Sequence, residues 1–214
     1  MNGDTLESLR AEVALLKAER DIARLQVAYG YYVDKAQWDE AADLFARDAT
    51  LEIAARGQFR GIDRIRAYLH QLPPLEHGTV FNHMQLQPLI TVAPDGLTAL
   101  GRWRAIMEVG FAGREELCGE ATYENAYVVE DGVWKIARLH CFVTYYVRWN
   151  EGWSTGGVPM GTPLDAAPPD APQTVAYQSF PHVFIPPYHY PNPVTGRVWQ
   201  SPDTPASATK EQLQ

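Results

Sequence analysis

Two side chains in this sequence are placed to move protons: an aspartate at the break between two amphipathic stretches, and a histidine opening a β-rich run. The first lies in YGYYVDKAQWDEAADLF, residues 29–45. Ala23, Val27, Gly30 and Asp34 are spaced four, three and four, so on a helix they share one narrow face of small and apolar residues. An acid ending that row is expected to point inward. Desolvation favours its neutral form, and the negative end of the helix macrodipole pushes the same way, which suits a group that exchanges protons. A second reading stands beside this one: Asp34 caps the following helix, its oxygen accepting an amide hydrogen near Ala36 or Gln37. The histidine is His83, in FNHMQLQPLI. An imidazole with one ring nitrogen on a buried carboxylate gains a fixed tautomer, and its other nitrogen can then take or give a proton near neutral pH. Taken alone, His83 reads first as a hydrogen-bonded core residue.

Other chemistries find little support. Glycine-rich phosphate loops, GxSxG elbows and a Cys/His pair at nucleophilic spacing are absent. His70, His77, His140, His182 and His189 share no metal-ligand spacing with one another or with a carboxylate, so neither a metal site nor a cofactor is expected. Cys118 and Cys141 are too few and too far apart for a disulfide framework, and read as free, buried thiols. The formal charge of −8 with no basic run argues against a nucleic-acid partner, because little is present to neutralise phosphates. No stretch approaches the roughly 18 consecutive apolar residues of a membrane span. The opening MNGDTLESLRAEVALLKAER is charged throughout and has no secretory signature, so a cytoplasmic setting is expected.

These candidates need a scaffold, and the hydrophobic period supplies one. From Leu6 to Tyr32 the pattern is helical but slips: Leu6, Leu9, Val13 and Leu16 form one stripe, and Ile22, Leu25, Tyr29 and Tyr32 another. The first stripe, within residues 1–20, reads as an arm that docks on a second subunit. A helix is expected from about Gln37 to Ala46, then a short strand in ATLEIAA, a turn over Gly57–Gly61, and a third helix in GIDRIRAYLHQL that Pro73 and Pro74 end. The period then changes to two. Thr79–Val92, Leu97–Val109, Glu115–Val129 and Val133–Tyr146 are β-rich runs joined by turns short enough to force antiparallel neighbours. The expected class is α+β, with three helices packed on one strongly curved antiparallel sheet to make a cone with a pocket, over residues 21–152. Twelve of the sixteen prolines lie between Pro159 and Pro205, among many aromatics. Residues 153–214 are therefore expected to form an irregular strap that lies on the body or on a partner subunit and covers the pocket mouth, the last dozen residues being disordered.

This layout resembles the nuclear transport factor 2-like superfamily, also called SnoaL-like or polyketide cyclase-like, and its catalytic pattern is similar to that of the scytalone dehydratases. Asp34 followed by Trp38 and Asp39 looks like that family's catalytic aspartate ahead of its tryptophan, and His83 looks like its catalytic histidine. DGVWKIA at 131–137 and YVRWNEG at 146–152 are similar to its last hairpin and the strand beyond. The resemblance covers about residues 21–152. Departures accompany it: the two tyrosines that hold a water in scytalone dehydratases correspond to Val33 and Ala55, a second histidine to Met107, and an asparagine to Tyr123, with Asn125 two residues on. The resemblance implies that the Asp and His pair is present while the carbonyl-directed part is not.

On these grounds the chain is expected to be a cofactor-independent lyase acting on a hydrophobic aromatic, phenolic diol. Asp34 and His83 are the catalytic pair. Tyr32, Trp38, Trp103, Met107, Tyr123, Asn125 and Cys141 are expected to bind the substrate, and the protein to be a homo-oligomer, dimer or trimer. The strap and the missing tyrosines resemble the diarylpropane lyases of lignin breakdown, which release formaldehyde and leave a stilbene. Alternatives are a dehydratase or ketosteroid-isomerase-like enzyme using the same pair, a non-catalytic dioxygenase small subunit, and a binding module. On the sheet, the phase opposite to the expected inner face exposes Arg102, Arg104, Glu120, Thr122 and Glu124, which suits a solvated or dimeric surface.

Overall fold

The computed structural model describes residues 3–199. Helix α1 (Gly3–Asp34) runs unbroken for 32 residues, so there is no joint near residue 20 between arm and body. The slip in its apolar stripe has a different consequence. Leu6, Leu9, Val13 and Leu16 stand exposed, whereas Ile22 and Tyr29 are buried against the sheet. The helix ends where Ala36 enters the left-handed region at φ 51°, and the Gln37 amide donates back to the Tyr32 carbonyl. Helix α2 (Trp38–Asp43) is six residues long and stops short of the expected Ala46. Its last turn is pre-empted by strand β1 (Phe45–Ile53), because Phe45, Ala46, Ala49 and Leu51 are all drawn into the core as strand residues.

A turn at Ala54–Arg56, strand β2 (Gln58–Arg60) and helix α3 (Ile62–Leu69) follow, with Ile65, Tyr68 and Leu69 buried. Four long strands complete the body: β3 (Thr79–Val92), β4 (Thr98–Phe111), β5 (Glu115–Glu130) and β6 (Val133–Arg148). The six strands form one sheet in the order β2-β1-β6-β5-β4-β3. The expected α+β body is present, and its sheet is mixed, since β1 pairs with β6 in parallel. Register shifts in the β3–β4 and β5–β6 pairs mark the bulges that bend such a sheet. The inner face is apolar as its period implies: Trp103, Ala105, Met107, Tyr123, Tyr127, Leu139, Cys141 and Val143 are all buried.

The outer face departs from expectation, for Glu120 and Glu124 are buried rather than solvated. The cause is the strap. Residues 153–199 carry almost no regular structure, yet between Val158 and His189 they are tied to the body at intervals, while residues 191–199 stand exposed. Beyond Cys141, where β1 stops pairing with it, β6 has a free edge, and the strap takes it over: Phe180 N donates to Thr144 O at 2.8 Å, and Val143 N to the Tyr177 hydroxyl at 2.8 Å. The carboxylates buried there find partners, as burial demands. Glu124 accepts from Arg102, and lies 2.9 Å from His189 Nδ1. Glu52 accepts from the amide and the hydroxyl of Thr174 at 2.7 and 2.9 Å, and lies 3.3 Å from His140. Burial acts to raise the Glu52 carboxyl, but His140 and Thr174 outweigh it and hold the group below the usual glutamate range. The expectation for the last dozen residues lies outside the described ones. Among those described, no helix is long and apolar enough to cross a membrane.

Candidate active site

Asp34 and His83 meet where α1 crosses the open edge of the sheet. Strand β3 is the edge strand, so alternate amides along it have no strand partner. Gly30 allows the close crossing: a Cβ there would lie 2.9 Å from Gln85 Cγ and 3.0 Å from the His83 carbonyl. One turn later the Asp34 carboxylate arrives at the same strand, and its Oδ1 accepts the His83 backbone amide at 2.5 Å. Asp34 therefore does not cap α2, whose N-terminus has no side-chain cap. Of the row that led to Asp34, Gly30 is buried while Val27 is exposed, because this face of α1 runs along the rim of β3 rather than into the core.

The imidazole sits differently from the sequence expectation. His83 Nδ1 is 3.7 Å from Asp34 Oδ1, beyond hydrogen-bond reach, and that oxygen is already engaged by the backbone amide of the same histidine. Nδ1 is buried and has no hydrogen-bond partner among the described residues. Both side chains are 13% exposed, so the carboxylate is the polar neighbour at hand. Catalytic contacts are commonly long before substrate arrives. Phe81 packs on the imidazole at 4.5 Å, and Trp38 packs edge-on against Phe81 at 6.4 Å, which fixes the ring from behind.

His83 opens into a cavity of about 300 Å³ between the helices and the inner face of the sheet. Of the expected binding residues, Met107, Tyr123 and Cys141 line it. Tyr32 and Trp38 do not, and Trp38 acts at one remove through Phe81. Trp103 and Asn125 are deeper still, in a polar network. Trp103 Nε1 donates to the Tyr127 hydroxyl (2.9 Å), that hydroxyl donates to Gln26 Oε1 (2.8 Å), and Asn125 donates to the same oxygen (3.0 Å) while accepting the His140 amide (3.1 Å). Gln26 then donates to Gln85, whose own amide holds the His83 carbonyl. The network thus pins the backbone of His83 from the core. Replacing Asn125 with Ala leaves buried partners unsatisfied and is expected to cost about 1–3 kcal/mol in urea unfolding.

Several lining residues were not legible in advance. Tyr146 points inward although Leu139, Cys141 and Val143 set the opposite parity, because one extra residue in β6 after Val143 flips the phase; its hydroxyl lies 3.0 Å from Met107 Sδ. Arg56 and Tyr68 enter from the turn after β1 and from α3, and Val158 to Gly161 of the strap close the mouth of the chain's own cavity. Burial drives the tyrosine hydroxyls at 29, 68, 123 and 146 upward, and pushes the Cys141 thiol up to about 12, so these groups stay protonated near neutral pH. They offer hydrogen bonds rather than charge. Among the described residues no group of three His, Cys, Asp or Glu side chains gathers at metal-ligating geometry.

Comparison with known proteins bears on the family and the fold. A family model described as a SnoaL-like domain matches residues 14–140. No curated protein matches the sequence. Among solved structures, a scytalone dehydratase candidate from Novosphingobium aromaticivorans DSM 12444 superposes with a TM-score of 0.60 at 20% identity, covering 72% of this chain and 97% of its own. Hexachlorocyclohexane dehydrochlorinase LinA-type3 from Novosphingobium barchaimii LL02 gives 0.58 at 20% identity, covering 65% and 95%. At such identities the likeness is one of fold.

Proposed function

The chain belongs to the SnoaL-like domain family, and on that premise we propose that it is a cofactor-independent lyase whose proton-transfer pair is His83 backed by Asp34. The observation that carries this reading is the buried, unpartnered Nδ1 of His83, 3.7 Å from the Asp34 carboxylate and at the wall of an apolar cavity. An imidazole in that setting gives up its water partners and has one carboxylate to stabilise it when it takes a proton. The dehydratase and dehydrochlorinase descriptions of the similar structures are consistent with an elimination.

The substrate we assign is a hydrophobic aromatic diol, in the specific case a lignin-derived diarylpropane. The benzylic carbon–oxygen bond breaks as its oxygen receives a proton and leaves as water. The terminal alcohol loses its proton, its O–H electrons form the carbonyl of formaldehyde, and the electrons of the cleaved carbon–carbon bond become the double bond of the stilbene. One proton is taken and one is given, so the imidazole returns to its starting state and needs no redox partner. A dehydratase reading shares the pair and differs in product, releasing water without a one-carbon fragment. Incubating purified protein with a panel of aryl propanediols and assaying formaldehyde and stilbene absorbance together tests the proposal. Equimolar appearance of both is expected; water loss alone favours the dehydratase, and no turnover removes both. The exposed stripe of Leu6, Leu9, Val13 and Leu16 is the surface we assign to a second copy of the chain.

A further inference from the structure

Among the described residues, Arg56 enters the cavity without a carboxylate to pair with it. Arg56 lies on the turn between β1 and β2, held in place by two left-handed residues, Ala54 at φ 46° and Gly57 at φ 87°. A Cβ at Gly57 would sit 2.6 Å from Pro169 of the strap, so the turn is clamped from outside and its side chain is committed to the cavity. Arg56 Nη1 donates to the Tyr68 hydroxyl at 3.2 Å, and no carboxylate pairs with Arg56 among the described residues. The strap leaves room for the guanidinium: Gly161 packs on it, and a Cβ there would lie 3.0 Å from Nε. Among the described residues no aspartate or glutamate lines this cavity.

Arg56 is half-buried in an otherwise apolar wall, and a ligand that brings a counter-ion to it gains a charge-assisted contact the wall itself does not supply. The tyrosines and the thiol around it are held protonated, so the wall does not provide it. We propose that the substrate of this site carries a carboxylate and that Arg56 holds it. A planar carboxylate matches the two-pronged guanidinium and cancels its single charge. A phenol, with an ordinary pKa of about 10, stays neutral and leaves the charge uncompensated. A dianionic phosphate would reverse the imbalance within an otherwise apolar wall. The inference rests on reading this cavity as the substrate site and narrows the aromatic diol to one that also bears a carboxylate.

The test is of binding and does not depend on turnover. Isothermal titration of the full chain with trans-cinnamate, methyl cinnamate and cinnamamide compares an acid with two neutral analogues of nearly the same shape. The acid is expected to bind at least about tenfold more tightly, the lower end of what a charge-assisted hydrogen bond contributes. Arg56→Met should abolish that preference, Arg56→Lys should keep part of it, and Gly161→Leu, which crowds the guanidinium while leaving Arg56 in place, should weaken it. His83→Gln should keep the preference in full, which separates a failure of the proton-transfer reading from a failure of this one. Equal binding of acid and ester by the natural sequence, no binding of the acid, or a preference that survives in Arg56→Met overturns the inference.

Discussion

His83→Gln is expected to lower turnover by about 10²–10⁴, the range a positioned acid or base supplies, while substrate binding stays within a few-fold of the natural protein. Glutamine fills similar space and keeps a polar tip, so Phe81 and Trp38 still have a side chain to pack against. The backbone amide that Asp34 holds is untouched, and the fold has no reason to change. Turnover under saturating substrate, with binding measured separately on the inactive protein, checks this. A KM effect without a kcat effect would make His83 a wall residue.

The second large effect is expected from the strap. Ending the chain after Gly157 removes Val158 to Gly161 from the cavity mouth and strips the cover from the outer face of β6. Glu52 then loses Thr174, Glu124 loses His189, and the Val143 amide loses Tyr177. Each set of hydrogen bonds to a buried charge contributes about 1.5–3 kcal/mol, so the urea midpoint should fall markedly. KM should rise by about tenfold or more, since an opened mouth readmits water and releases the contacts that remote binding provides. Thr174→Val, which keeps the mouth intact, should lower stability with little change in KM. A truncated protein with unchanged midpoint and KM would reduce the strap to a tail.

How far the sequence revealed this site depends on which physical rule governed each residue. The alternation through Trp103–Met107, Tyr123–Tyr127 and Leu139–Val143 is read directly, because a sheet with one apolar face must bury every second side chain. Asp34 at the end of α1 was legible from the small-residue row, since a glycine one turn earlier is what a close helix–strand crossing needs. The form of its contact was not. Asp34 meets an edge-strand amide first and the imidazole second, and an edge is a property of strand order, which no local pattern encodes. Tyr146 was hidden by a one-residue bulge that inverts parity, and Arg56 by a turn whose direction depends on two left-handed residues. Glu120 and Glu124 looked like surface because a proline-rich segment has no period from which its docking site can be inferred. Asn125 looked like a substrate ligand and is instead held by Gln26 and the His140 amide, a pairing that spans 99 residues of chain on one side.

The central claim is that Asp34 and His83 work as one device, the carboxylate acting through the imidazole. A double-mutant cycle on kcat tests it most directly, with Asp34→Asn, His83→Gln and the double variant, because asparagine keeps an oxygen for the His83 amide and removes the charge alone. Members of one device are non-additive. The double variant is expected to turn over no more slowly than His83→Gln by itself. Losses that multiply would place the two groups in separate steps and contradict it.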